Sequence, residues 1–122
     1  MENEYRILVC GGRDFQDKIF LFAKLSEIVQ PQIDIGKKVI IIQGEARGAD
    51  RLAKEWAIEN NVDYLSFFAD WDRLGKKAGY VRNAQMLNEG KPHLVVAFSG
   101  GKGTSMMVDI AKKANVLVHD LR

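Results

Sequence analysis

At 122 residues, 47% hydrophobic and 28% charged, the chain has the length for one domain with a single core and the composition of a globular protein, not a disordered or fibrous one. A net charge of +2 gives no electrostatic case for holding a nucleic-acid polymer, but it leaves room for a local basic cluster around a small anion. The single cysteine, Cys10, excludes an intrachain disulfide framework, and its place at the end of an apolar run reads as a buried strand thiol rather than a reactive one.

The chain opens on an acidic Met1-Glu2-Asn3-Glu4 with no signal-peptide pattern. No apolar stretch approaches the roughly 20 residues that a membrane span needs. A cytoplasmic protein without a membrane partner is expected. Tyr5 to Cys10 predicts a buried strand, closed by Gly11-Gly12. Asp17 to Val29 predicts a helix, with Ile19, Phe20, Phe22, Ala23, Leu25, Ile28 and Val29 at helical spacing and Pro31 ending it. Lys38 to Ile42, almost wholly β-branched, predicts a strand that stops at Gly44. Gly48 to Asn60 predicts a helix with Leu52, Ala53, Trp56 and Ala57 on one face. Val62 to Phe68 predicts a third strand, and residues 69–78 a charged loop. A helix is expected from Gly79 to Asn88, a strand from His93 to Phe98, a helix from Thr104 to Ala114 and a last strand from Val116 to His119.

Short apolar strands alternating with helices imply one domain over residues 1–122: a three-layer α/β/α sandwich around a mainly parallel five-stranded sheet. Right-handed crossovers put the loop after every strand on one edge, where α/β sheets bind ligands. Three glycine-bearing loops fall there: Gly11-Gly12-Arg13-Asp14-Phe15, Gly44-Glu45-Ala46-Arg47-Gly48-Ala49-Asp50, and Ser99-Gly100-Gly101-Lys102-Gly103-Thr104. Glycines let backbone amides approach an anion, and the helix that follows presents unpaired N–H groups. Arg13 and Arg47 offer planar donors for phosphate. Thr104 either caps its helix or donates its hydroxyl to phosphate. Asp50 either caps the second helix or meets a ribose hydroxyl. Trp71 either covers the core or stacks on a base, as Phe15 could, and Lys76 and Lys77 are either solvated or close over phosphate. Met86, Met106 and Met107 read as core. Neither the Walker A pattern nor the dinucleotide fingerprint is present, which disfavours an ordinary ATPase or NAD dehydrogenase. His93 and His119 have no partners at ligand spacing, so no metal is expected.

At these loops, and at Ala78-Gly79-Tyr80-Val81-Arg82-Asn83-Ala84-Gln85-Met86, the chain resembles the SLOG superfamily, closest to its short YspA-like, YpsA-related branch. The resemblance implies a Rossmann-like fold with strand order 3-2-1-4-5, a nucleotide-derived ligand over the glycine loops, no separate cofactor, and a homodimer. Ligand contacts would come from Gly11, Gly12, Arg13, Asp14, Phe15, Gly44, Arg47, Gly48, Asp50, Arg82, Asn83, Gly100, Gly101, Gly103 and Thr104. In the superfamily's phosphoribohydrolases an Arg-Lys pair precedes a methionine; here Arg82 keeps the arginine and Asn83 replaces the lysine. Met106 and Met107 stand where those enzymes carry a catalytic glutamate. Cleaving an N-glycosidic bond passes through an oxocarbenium-like transition state that needs a carboxylate. The expectation is therefore a binding protein, with hydrolysis through Arg82, Glu45 or Asp50 as the alternative.

Overall fold

The computed structural model describes residues 3–122; Met1 and Glu2 of the acidic N-terminus lie outside them. Five strands form one sheet: β1 (Glu4–Cys10), β2 (Lys38–Gln43), β3 (Asp63–Ser66), β4 (Leu94–Ala97) and β5 (Leu117–Asp120). All pairings are parallel, in the order β3-β2-β1-β4-β5. The helices are α1 (Lys18–Asp34), α2 (Ala49–Glu59), α3 (Trp71–Leu74), α4 (Ala78–Gly90) and α5 (Lys102–Lys113).

Alternation along the central strands divides the core into two layers. Ile7 and Val9 of β1 pack with Ile41 and Val96 against Leu21, Leu25 and Val29 of α1 and Ala53 and Trp56 of α2. Their neighbours Leu8 and Cys10 pack on the other face with Ile42, Val95, Met86 of α4, and Met107 and Ala111 of α5. Burying each of these leucines and isoleucines contributes roughly 1.5–3 kcal/mol relative to exposure. Both faces of β4 and of the second half of β1, Ile7 to Cys10, are covered, which is why those stretches carry no polar alternation.

Three sequence expectations are corrected. Pro31 does not end α1, which continues to Asp34. The Glu27 carbonyl that Pro31 cannot serve lies on an exposed turn, where water can satisfy it. The charged loop 69–78 contains α3, capped by the Asp70 side chain accepting from the Arg73 amide at 3.2 Å, and a 3-10 turn over Gly75–Lys77. The third strand spans only Asp63–Ser66, since its partner β2 ends at Gln43, opposite Ser66, and Phe67 beyond it packs partly buried on the core. No helix among the described residues is long and apolar enough to cross a membrane.

Candidate functional site

The order of strands reverses between β1 and β4, and the turns that leave these two strands touch each other. The Gly12 amide donates to the Ser99 carbonyl at 2.8 Å, and the Gly12 carbonyl accepts from the Ala49 amide at 3.2 Å. All three glycine loops therefore meet at Gly12. Two glycines make that contact possible. Gly48 has φ +87, and a Cβ there would strike the Gly12 carbonyl. A Cβ on Gly100 would strike the Thr104 hydroxyl and lie 2.6 Å from the Gly12 nitrogen. By contrast, nothing lies within 4 Å of the positions a Cβ would take on Gly101 and Gly103.

Those last two glycines open onto a cleft of about 340 Å³ at the junction. Gly11, Gly12, Arg13, Asp50, Arg82, Asn83, Gly101, Gly103 and Thr104 line it, as do Trp71, Lys76 and Tyr80. Asp14, Phe15, Gly44, Arg47, Gly48 and Gly100, also expected at the ligand, stand outside its lining. Phe15 packs on Phe98 with ring centroids 5.3 Å apart. Gly44 backs onto the Arg82 guanidinium, and Arg47 pairs with Asp14 at 3.2 Å, its side chain 69% exposed.

One end of the cleft is the N-terminus of α5. Gly101 caps it with no side-chain hydrogen bond, and the first intrahelical bond runs from Ser105 to Gly101. The amides of Lys102, Gly103 and Thr104 consequently have no acceptor within the helix. Thr104 is 5% exposed, yet its hydroxyl forms no hydrogen bond among the described residues and does not cap the helix. A hydroxyl that has no protein partner and opens onto the cleft, beside free amides, is a ready donor set for an anion.

Another part of the lining is built by Arg82 and Asn83 of α4, both buried. Arg82 Nη1 donates to the Gly44 carbonyl at 2.6 Å and Nε to Asn83 Oδ1 at 3.0 Å. Asn83 Nδ2 in turn donates to the Gly103 carbonyl at 3.2 Å. This relay ties the β2–α2 turn to the start of α5. It leaves Arg82 Nη2 without a hydrogen bond among the described residues. Burial pulls the Arg82 guanidinium down from the usual arginine range, and the charge of Arg13 adds to this against the opposing pull of Asp50.

Asp50 does not cap α2, whose cap is Gly48 without a side-chain bond. Its Oδ2 instead accepts from the Gly44 and Ala46 amides at 3.2 and 3.3 Å and so holds the preceding turn. Burial pushes this carboxyl up to about 6, although Arg82 and the two amides pull it back. Glu45 sits outside the cleft. Burial acts to raise its carboxyl, but hydrogen bonds from Lys54, Ser66 and Gln43 outweigh it and leave the group below the usual range. Cys10 reaches the cleft floor, where burial and the Asp50 charge push its thiol up to about 12, so it is no nucleophile at neutral pH.

A family model described as YspA, cpYpsA-related SLOG family matches residues 5–74, which carry two of the three glycine loops. The chain belongs to this family. The SLOG chain is 32% identical over 120 residues to the Gene 61 protein of Mycobacterium phage D29, covering 93% of each. Its fold is similar to that of DNA processing protein A (DprA) from Streptococcus pneumoniae, with a TM-score of 0.74, 16% identity, and 96% of this chain matched to 50% of that one. It is also similar to the Moco carrier protein of Chlamydomonas reinhardtii, with a TM-score of 0.67, 20% identity, and 97% of this chain matched to 76% of the other. At such identities these two likenesses speak to fold.

In the SLOG chain, the positions that the resemblance compares with a catalytic glutamate hold thioethers. Met107 is fully buried in the core, and Met106 Sδ lies 3.7 Å from Asn83 Nδ2. Trp71, which the sequence offers as a base-stacking residue, and Lys76, which it offers as solvated or closing over phosphate, both line the cleft; Tyr80 is a lining residue that the sequence analysis does not single out. Tyr80 lies within a motif already quoted for the family, two residues before Arg82, and that proximity was the available signal. No group of three or more His, Cys, Asp or Glu among the described residues could hold a metal ion.

Proposed function

We propose that the chain binds a nucleotide-derived small molecule in this cleft, with a phosphate against the N-terminus of α5. The unpartnered Thr104 hydroxyl carries the reading, because it stands with three free amides at the end of a cleft that Arg13 and Arg82 also line. The phosphate takes the Gly103 and Thr104 amides and the Thr104 hydroxyl. Arg82 Nη2 and Lys76 supply positive charge, and the Trp71 indole offers a face for the base. The Gly12 amide is already engaged with Ser99 and does not contribute. A structural neighbour named as a Moco carrier is a precedent for this architecture holding a small molecule. Titration calorimetry with AMP, ADP-ribose and NAD tests the reading: micromolar binding by one of them is expected, and silence across the set overturns it.

A second reading, hydrolysis of an N-glycosidic bond, rests on Asp50, the acid among the described cleft-lining residues. A carboxyl poised near 6 can exchange a proton at neutral pH. It predicts release of free base from a nucleoside monophosphate and loss of that activity in Asp50→Asn. Absence of free base on chromatography after long incubation dismisses it.

We extend the proposal to a homodimer. Tyr64 and Leu65, 42% and 43% exposed on the edge strand β3, give the sheet an apolar border that an unpaired strand otherwise leaves to solvent. Sedimentation equilibrium at tens of micromolar (~50 μM) decides the point, and a monomeric mass rejects it.

A further inference from the structure

Beyond the cleft lies a second, more open basin of about 510 Å³. Arg13, Trp71 and Arg82 line both spaces, so the two are neighbours across a shared wall. That wall is a stack: the Arg13 guanidinium lies 4.9 Å from the centroid of the Trp71 ring. Arg47, Arg51 and Phe68 also line the basin, and Arg47 Nε donates to the Arg13 carbonyl at 3.2 Å. Four arginines thus surround one space, and its acid, Glu45, is turned into a pair with Lys54 at 2.7 Å. Asp14 pairs with Arg47, but as an exposed partner it competes weakly with an anion. Arg51 uses Nε on the Glu45 carbonyl, and no hydrogen bond among the described residues engages its terminal nitrogens. Phe68 is 71% exposed, a large aromatic ring held in solvent beside concentrated positive charge.

Guanidinium groups flanked by exposed aromatic faces match one chemistry: a phosphodiester with a base beside it. We infer that the basin is a second nucleotide subsite, and that the ligand of this chain is a dinucleotide whose two units straddle the Arg13–Trp71 stack. The inference rests on the reading of the cleft given above. One unit lies in the cleft with its phosphate on α5. The linking phosphate meets Arg13 at the shared wall. The second unit sets its base against Phe68, and Arg47 and Arg51 surround it with positive charge.

Calorimetry with AMP and with the 5′-phosphorylated diadenylate pApA separates the two claims. The inference expects pApA to bind at least about tenfold more tightly than AMP, as a stacked base and a charged contact would give. The double variant Arg47→Ala/Arg51→Ala and, separately, Phe68→Ala should erase most of that gain and leave AMP affinity within about twofold. All three side chains are solvent-facing, so thermal melts of the variants should match the parent protein. Equal affinity for AMP and pApA overturns the dinucleotide assignment while the cleft reading stands. A pApA advantage that survives both variants also overturns it, because the second unit then lies elsewhere. Failure of both ligands removes the cleft reading and this inference together.

Discussion

Asp50 concentrates the tension between stability and binding in this molecule. Its carboxyl is pushed up to about 6 from 3.8, first by burial. A folded-state value above the unfolded one means that the native protein holds the proton more tightly than the unfolded chain. Stability tied to this group therefore falls as pH rises from about 4 to about 6, and above 6 the native state carries the full cost of the buried charge. Two pKa units correspond to roughly 3 kcal/mol. The groups facing it are Arg82, the Gly44 and Ala46 amides and, more distantly, the Glu45 charge. Asn at this position keeps an oxygen for the two amides and removes the charge. Asp50→Asn should thus be more stable than the parent at pH 7.5, by about 1–3 kcal/mol in urea denaturation, with the gap closing near pH 5. A gap that does not change with pH would show that the buried charge is not its source. The ligand phosphate also loses charge near pH 6 in both proteins, so the test is the difference: below pH 6 the parent's phosphate affinity should rise relative to the variant's, since protonation of Asp50 removes the cleft's negative charge. The sequence reading identified Asp50 as a cap or a ribose contact, but not as the residue that folds its own loop back. That role depends on where Gly44 and Ala46 point their amides, which no spacing rule gives.

Elements were legible in proportion to how much apolar surface they bury. β1, β2 and β4 are continuous apolar runs because helices cover both faces, and such runs read clearly in one dimension. The four-residue α3 has no room for periodicity; its sign was Asp70, whose side chain caps Arg73. Pro31 misled because it sits in the last turn of α1, where the lost bond and the displaced Glu27 carbonyl can be turned toward water and the Val29 anchor already lies N-terminal to it. Within the glycine loops the residue type alone could not separate contact with a ligand from contact with another loop. The structure separates them, and substitution should follow. Gly48→Ala forces a Cβ into the Gly12 carbonyl at positive φ and should cost about 2–4 kcal/mol of stability in denaturant melts. Gly103→Ala lies in α5 with open space before it and should gain about 0.5–1 kcal/mol from helix propensity. The same methyl projects into the cleft, so AMP binding should weaken at least about fivefold even as the melting temperature rises. A Gly103→Ala protein that binds AMP normally would mean the phosphate does not approach this turn.

At the scale of the whole molecule, the 3-2-1-4-5 order makes the site. It sets β1 beside β4 and brings two loops nearly 90 residues apart in sequence into backbone contact at Gly12 and Ser99. Alternation of strands and helices is enough to foresee which edge carries the loops. It does not foresee the basin beside the cleft, because that space depends on the Arg13–Trp71 stack and on residues of two separate loops. A ligand that bridges α4, α5 and the first loop links elements from both halves of the sheet, so binding should stabilise the fold as one unit. At a ligand concentration of 100 Kd the gain is about 2.7 kcal/mol, which for a chain of this size raises the melting temperature by roughly 10 °C. Thr104→Val tests where that energy enters. Valine keeps the shape of threonine, and the lost hydroxyl has no protein partner, so the unliganded protein should melt within a few degrees (~3 °C) of the parent or above it. With AMP, loss of a hydrogen bond to a charged phosphate, about 1.5–3 kcal/mol, should remove half or more of the ligand-induced shift. An undiminished shift in Thr104→Val would move the anion away from α5 and with it the mechanism of recognition.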